Sequence, residues 1–376
     1  MDIRKPLPLL GGLAPEQFMR TYWQKKPLLV RQAIPGFIPP VNRSKLFELA
    51  SSDDAESRLV QVLKGVWKVR QGPFARRALP ALTHRDWTLL VQGVDLHHDA
   101  VHALVQQFQF IPAARLDDLM ISYASPGGGV GPHFDSYDVF LLQAQGHRRW
   151  RIGRQRDLTL RDDIPLKVLA NFEPEDEFVL EPGDLLYLPP RYAHDGVAQD
   201  ECMTYSIGFR APARAELAQE LLARLGEDAG ENDTPLMYRD PKQLAVTEPA
   251  AIPAGLRQFA QDALTRALAQ PWVLERALGE YLTEPKAQVY FEPALERAML
   301  EGVRLDRRSR MMYDEKHIFI NGESYRAAGR DASLMRQLAN TRCLTSRDLA
   351  KASDDALELL SSWCDAGWAH ALRQTD

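Results

Sequence analysis

Cysteine is scarce in this chain, and the little there is does not cluster. Cys202, Cys343 and Cys364 are the only three. They lie far apart with no Cys-x-x-Cys pair, so neither a zinc finger nor a disulfide framework is indicated. Long apolar runs are missing as well. No stretch approaches membrane-spanning length and the N-terminus lacks a signal-peptide pattern, so a soluble, cytoplasmic protein with no membrane role is expected. Excess positive charge is also absent. The 46 Lys and Arg against 51 Asp and Glu leave a formal net charge of −5, which argues against a general coat for nucleic acid and suits a basic protein as partner. At 376 residues the chain is too long for one ordinary core, and two or three domains are expected.

What the chain does contain is one concentrated motif. Ser125–Asp138 reads SPGGGVGPHFDSYD, with His133 and Asp135 one residue apart. Side chains at i and i+2 of a strand point to the same face, so both reach into one space. A second strand-like run, Leu180–Pro190 (LEPGDLLYLPP), delivers His194 just past its end. Two imidazoles and one carboxylate form the 2-His-1-carboxylate set of non-haem Fe(II) oxygenases. A lone His-x-Asp arises often by chance, and its surroundings decide here. Gly127–Gly129, Gly131 and Pro132 predict a tight turn where backbone comes close to a bound group. Pro182-Gly183-Asp184 turns into an apolar strand, and Pro189-Pro190 ends that strand ahead of His194. His84, His97, His98 and His102 have no such organisation. They belong to a region read as helical (Trp87–Phe108) and are expected to be solvated or capping residues.

Periodicity predicts the surrounding elements. A helix over Pro15–Gln24, a short strand over Pro27–Arg31 and a hairpin over Leu59–Val69, turning at Lys64-Gly65, come first. Arg115–Tyr123 (RLDDLMISY) reads as a strand entering the core, with Asp118, Met120 and Ser122 on one face and Leu119, Ile121 and Tyr123 on the other. One of the two faces must see the interior, and alternation alone does not choose. If it is the even face, Asp118 is an acid at a pocket mouth, suited to gripping a guanidinium through paired hydrogen bonds. Met120 then lies beside it as a further substrate contact, and Ser122 sits deeper, in reach of a bound cosubstrate. Val139–Gln143 and His147–Ile152 follow as strands, and in the second Arg148 faces away from Arg149 and Arg151. Tyr137 and Asp138, just after the motif, are candidate substrate contacts, Tyr137 equally a wall residue. Cys202–Arg210 reads as the last strand, with Thr204 and Ser206 on one face.

These residues resemble the JmjC-type cupin oxygenases that use Fe(II) and 2-oxoglutarate. Four segments, DDLMISYASPGGGVGPHFDSYDVFLLQ, GHRRWRIG, LEPGDLLYLPPRYAHDG and MTYSIGFRAP, are similar to the bacterial ribosomal oxygenases, and the likeness runs from YWQKKPLLV onward. The resemblance implies an α+β protein in three parts. A double-stranded β-helix (the cupin or JmjC jelly roll) over 1–211 is followed by a helical dimerisation domain over 212–284 and a winged-helix-like domain over 285–376. It implies His133, Asp135 and His194 as the Fe(II) ligands, Arg148 as the anchor for the far carboxylate of 2-oxoglutarate, and O₂ as the other cosubstrate. The implied reaction hydroxylates the β-carbon of an arginine in large-subunit ribosomal protein number sixteen, releasing succinate and CO₂. In one respect the chain departs from the pattern. Where cupins often carry a glycine two residues after the first proline of the strand exit, Arg191 stands here, and the shape of the loop before His194 is left undetermined.

Beyond Pro212 the sequence turns helical through about Gly279, interrupted by a polar loop over Gly226–Pro253. Leu217, Leu221, Leu222 and Leu225 form one apolar stripe; Leu256, Phe259, Ala260, Ala263, Leu264 and Ala267 form another. By resemblance these helices make a homodimer. From about Pro293 a hairpin-like MMYDEKHIFING leads into three short helices, Ser333–Thr341, Thr345–Lys351 and Asp354–Ala366, with Thr345 or Ser346 as a cap. Basic and acidic residues nearly cancel after Ala294, so support of protein contacts is expected rather than sequence-specific nucleic-acid binding. Three other functions compete: a histidine hydroxylase or lysine demethylase of the same superfamily, a non-catalytic metal-binding regulator, and a cupin isomerase or small-molecule oxygenase. The last has little use for so large an extension.

Overall fold

A computed structural model describes residues 1–231, 236–269, 271–294 and 300–372. The chain forms two compact units, Met1–Ala211 and Pro212–Asp376. The first unit runs α1 (Pro15–Thr21), β1 (Leu28–Val30), α2 (Arg43–Leu49), β2 (Ser57–Leu63), β3 (Val66–Gln71), β4 (Trp87–Val91) and α3 (Asp99–Val105). It continues through β5 (Leu116–Ala124), β6 (Asp138–Gln145), β7 (Arg148–Arg154), β8 (Asp176–Leu180), β9 (Leu185–Leu188), β10 (Tyr192–Ala198) and β11 (Cys202–Phe209). Eight strands form one sheet in the order β1-β9-β6-β11-β5-β4-β2-β3, and β10-β7-β8 form a second.

Alternation along the strands sorts their side chains into two layers. Leu119, Ile121 and Tyr123 of β5, Phe140 and Leu142 of β6, and Tyr205, Ile207 and Phe209 of β11 join Phe18 of α1 in the larger core. Val139 and Leu141 of β6, with Leu186 and Leu188 of β9, turn the other way and meet Trp150, Ile152 and Leu180 of the smaller sheet. The two sheets thus share a second apolar core between them, and the functional side chains described below enter beside it. This is the expected double-stranded β-helix.

Two local features show how sequence becomes structure. Lys64 and Gly65 both have positive φ, 52° and 80°, the conformation of a tight two-residue hairpin turn between β2 and β3. The run Trp87–Val91, expected to be helical, is instead strand β4, buried along its whole length. It pairs with β2 on one side and β5 on the other. A strand covered on both faces shows no apolar alternation, which is why periodicity misreads it. The α-helix of this region is α3, with short 3-10 turns at Val94–Leu96 and Gln106–Phe108 on either side.

The second unit contains α4 (Arg214–Glu231), α5 (Ala254–Leu268) and α6 (Pro271–Thr283). The expected loop from Gly226 starts later, because a mid-helix glycine costs only about 1 kcal/mol; its residues 232–235 lie outside the described residues. There follow β12 (Val303–Leu305), β13 (Met311–Tyr313), β14 (His317–Ile320), β15 (Glu323–Arg326), α7 (Gly329–Thr341), β16 (Cys343–Leu344), α8 (Ser346–Leu349), α9 (Asp354–Asp365) and β17 (Ala369–Ala371). Two three-stranded sheets, β16-β12-β17 and β13-β14-β15, cover a core of Ile318, Ile320, Leu334, Leu338, Leu360 and Trp363. Thr345 caps α8 in a reciprocal box with Asp348. Among the described residues no helix is long and apolar enough to cross a membrane.

Candidate metal centre and cosubstrate pocket

The Gly-rich segment between β5 and β6 lies tightly against its neighbours. A Cβ on Gly128 would lie 2.3 Å from the Trp87 carbonyl oxygen, and one on Gly129 would lie 2.7 Å from that of Gly196. Gly128 and Gly129 are required by this chain-on-chain contact. The contact brings the two halves of the site together. His133 N–H donates to His194 O at 3.0 Å and His194 N–H to His133 O at 2.8 Å, which places the two side chains as neighbours.

The ligand atoms of His133, Asp135 and His194 all lie within 4.8 Å of one another, with Asp135 Oδ2 3.6 Å from His194 Nε2. Each imidazole is held by its other nitrogen. His133 Nδ1 contacts Gly131 O at 2.9 Å and His194 Nδ1 contacts Tyr192 O at 3.0 Å. A carbonyl only accepts, so each Nδ1 carries the proton and each Nε2 keeps its lone pair for a metal. Burial, reinforced by the neighbouring His133, pushes the His194 pKa down to about 4, so the ring is neutral, as a metal ligand must be. Among the described residues no other three His, Cys, Asp or Glu side chains come together this way, and His84, His97, His98 and His102 do not.

Arg191 explains itself in this setting. Its φ is +64°, the left-handed conformation that a glycine adopts without steric cost. Its N–H donates to Asp135 O at 2.7 Å. The departure from glycine leaves the turn in place, and the turn steadies the backbone of a metal-bearing residue.

Arg148 points between the sheets and is only 5% exposed. One donor, Nη1, reaches Ser122 Oγ at 3.3 Å, while Nε and Nη2 are buried with no partner. The guanidinium lies 5.7 Å from the Trp150 ring, and that ring is 5.8 Å from the imidazole of His194. Gly196 makes room for the indole, since a Cβ there would fall 2.6 Å from it. A buried guanidinium with two unused donors is costly by itself and matches the two oxygens of a carboxylate. Arg151 takes the opposite face of β7 and pairs with Asp195 at 2.6 Å. The donor set and the unsatisfied cation together fit Fe(II) and a dicarboxylate such as 2-oxoglutarate.

On β5 the odd residues lie in the larger core, so the even face turns inward. Ser122 meets Arg148, Met120 is half-buried, and Asp118 is 7% exposed, accepting the Gly93 N–H at 2.9 Å. Tyr137 keeps 38% of its surface exposed. Burial of its hydroxyl, then the charges of Asp135 and Asp118, push its phenol well above the ordinary value. Met120 stands opposite Ser206 and Ser122 opposite Thr204 on β11, so the Thr204/Ser206 face is the inward one. Gln143 is a polar residue that the sequence reading missed. It is fully buried and accepts the Thr204 hydroxyl at 2.9 Å. Its phase with Val139 and Leu141 was the available signal. Asp138 does not reach the pocket. In phase with Phe140, it faces the larger core, where it meets Arg115 at 3.1 Å, Tyr187 at 2.6 Å and Gln24 at 3.0 Å.

Residues 103–217 match the JmjC domain family, and residues 266–370 match the ROXA-like winged helix. The chain is 32% identical over 370 residues to the ribosomal protein uL16 3-hydroxylase of Escherichia coli K12, covering 93% of this chain and 96% of that one. It is 28% identical to human ribosomal oxygenase 1 over 218 residues, 51% of this chain and 32% of that protein. The structure of YcfD, a ribosomal oxygenase from E. coli, in complex with cobalt and 2-oxoglutarate is similar with a TM-score of 0.80 at 30% identity, over 95% of this chain and 98% of that one. The likeness to the E. coli protein extends over both units, and this chain belongs to the JmjC-domain ribosomal oxygenases.

Proposed function

We propose that this chain is an Fe(II)- and 2-oxoglutarate-dependent oxygenase that hydroxylates the β-carbon of an arginine in the large-subunit ribosomal protein uL16. The observation that carries the reading is the pairing of the His133/Asp135/His194 cluster with a buried, half-unsatisfied Arg148 beside it. When bound, the metal and 2-oxoglutarate supply O₂ activation and insertion of one oxygen into a C–H bond, with succinate and CO₂ as by-products. The protein's own side chains position and exclude. His133, Asp135 and His194 hold the metal through Nε2, Oδ and Nε2, and Arg148 with Ser122 receives the far carboxylate of the cosubstrate.

Asp118 favours a cationic substrate side chain. Its carboxylate lies on the inward face near Tyr137, and a guanidinium offers it paired donors. Met120 and Tyr137 line the approach and keep solvent from the reacting carbon. A histidine substrate gains less from such an acid. The relative in Aedes aegypti described as a bifunctional lysine-specific demethylase and histidyl-hydroxylase is 27% identical over 48% of this chain, and the match to the uL16 3-hydroxylase over 93% of the chain supports uL16 hydroxylation over it.

The same reading divides the chain into a catalytic domain over 1–211, a dimerisation domain over 212–284 and a winged-helix domain over 285–376, in a cytoplasmic homodimer. Its support is α5, which buries none of its side chains and leaves Leu256, Leu264 and Leu268 exposed. The deciding experiment loads the protein anaerobically with Fe(II) and 2-oxoglutarate, then adds air and recombinant uL16. Gain of one oxygen on an arginine, abolished by His133→Ala, is the expected result. Succinate without substrate oxidation keeps the oxygenase and discards the substrate, and neither product despite bound iron favours a metal-binding regulator.

A further inference from the structure

The second unit holds a cavity of about 650 Å³ to which the oxygenase chemistry assigns no role. Its walls come from four elements: Trp272 of α6, Glu315 and Lys316 in the turn between β13 and β14, Arg326 at the end of β15, and Arg336 of α7. Three cations face one acid. Arg326 lies over the Trp272 ring, 5.3 Å from its centroid, a contact that orients the guanidinium while leaving its charge unneutralised. Arg336 is anchored by Nη2 to the carbonyls of Asp314 and Glu315 at 3.2 and 2.8 Å, and its buried Nε has no partner. Among the described residues, Lys316 and Arg326 form no ion pair with a carboxylate.

Net charge conceals this arrangement. From Ala294 onward thirteen Lys and Arg balance thirteen Asp and Glu, so the segment reads as neutral. The charges are nonetheless segregated. α9 carries Asp354, Asp355, Glu358 and Asp365 and no base, whereas cations predominate around the cavity. A local field, not the sum, decides what a concave site attracts.

We propose that this cavity binds a phosphate group, carried by a nucleotide or by the backbone of a single-stranded RNA. A phosphate presents several strong acceptors on one centre, which suits the guanidinium fork of Arg326, the remaining donors of Arg336 and the Lys316 ammonium converging from separate elements. The volume admits more than an isolated inorganic anion, so the phosphate is expected to belong to a larger molecule. The start of α7 has no side-chain cap, and its free N–H groups add donors to a site that the cations already define. The proposal is independent of the substrate assigned above.

The test uses the full-length protein at low salt with three probes: inorganic phosphate, ATP, and a short fluorescein-labelled RNA. Binding is read by calorimetry for the first two and by anisotropy for the third. Lys316→Ala with Arg326→Ala should weaken the bound probe by about tenfold or more. For RNA the log–log salt slope should shrink by about 1.4, as expected for two lost contacts. Lys316→Glu alone, at an exposed position, should weaken binding further than Lys316→Ala. Thermal midpoint and uL16 hydroxylation should stay at the parent level in all three variants. ATP binding without RNA binding supports the proposal with a nucleotide as source, and tighter RNA binding supports it with a polynucleotide. No binding of any probe, or binding unchanged in the double variant, overturns it.

Discussion

Strand β11 and helix α5 put similar side chains to opposite use. Every residue of β11 is buried, because β5 and β6 flank it and both of its faces are covered. α5 carries an apolar stripe yet buries none of its side chains, and Leu264 remains 65% exposed. Burial of such a leucine contributes about 1.5–3 kcal/mol, so β11 completes its own unit while α5 leaves stabilisation unrealised. The catalytic unit has one incomplete place of its own, and it is polar. Arg148 is buried with two unused donors, as α5 is apolar with an unused face. The difference lies in what each can accept: a carboxylate in one case, another apolar surface in the other.

The largest effect should come from the metal ligands. His133→Ala or His194→Ala is expected to lower turnover by at least about 10³-fold, with a far-UV circular dichroism spectrum matching the parent. Arg148→Ala should raise the KM for 2-oxoglutarate by about 100-fold, roughly 3 kcal/mol. The same substitution should leave the thermal midpoint of the metal-free protein level or higher, since it removes a buried charge that lacks a partner. A marked fall in that midpoint would mean that Arg148 is already satisfied within the fold, and the comparison with α5 would break.

Asp118→Asn is expected to raise the KM for an arginine peptide by about tenfold and to leave that for 2-oxoglutarate unchanged. Equal changes in both would relocate Asp118 to the cosubstrate. Leu264→Asp tests the other side. If α5 is an interface, the variant should sediment as a monomer while its unfolding free energy, measured at low concentration, changes by no more than about 0.5 kcal/mol. If the parent already sediments as a monomer, the exposed stripe is not an interface between copies.

The smallest effect is a pH dependence in the second unit. Burial opposes ionisation of Asp306, but hydrogen bonds from His370 and Arg308, at 2.9 and 2.8 Å, outweigh it and hold the carboxyl well below the usual carboxylate range. A carboxyl depressed in the folded state contributes its full stabilisation above its unfolded pKa of about 4 and loses it as pH falls through the folded value. The parent's stability to urea should therefore fall below about pH 4, and Asp306→Asn should flatten that dependence. The shared reliance on buried charge links this site to Arg148, with the difference that Asp306 finds its partners within the chain.

Much of the catalytic architecture could be read from local spacing. Arg148 and Arg151 take opposite faces of β7 because they are three apart, and a positive-φ turn was legible in Lys64-Gly65. The strand expected to carry His133 and Asp135 is not formed: both lie in the loop between β5 and β6, and only His133 bridges to His194. Strand β4 was not legible, because a segment covered on both sides carries no period. Gln143 was visible only as one more residue of an apolar strand, and Asp138 could be excluded only once Arg115, Tyr187 and Gln24 were seen around it. The segregation of charge in the second unit was hidden by a sum that comes to zero.

The sequence by itself determined which residues travel together: an i, i+2 pair, a histidine after a proline-terminated strand, an arginine in phase with Trp150. Alternation enforces such a relation on a strand, as for Arg148 and Trp150 on β7, whereas His133 and Asp135 are held in a loop by the bridge from His133 to His194. Only the tertiary structure decided the direction of each set. The even face of β5 looks inward because Leu119, Ile121 and Tyr123 are taken by the larger core. Nε and Nη2 of Arg148 lack partners because the residues packed around them, Trp150 among them, supply no acceptor. Those outcomes depend on which strands lie alongside, and that is settled by contacts between residues far apart in the chain.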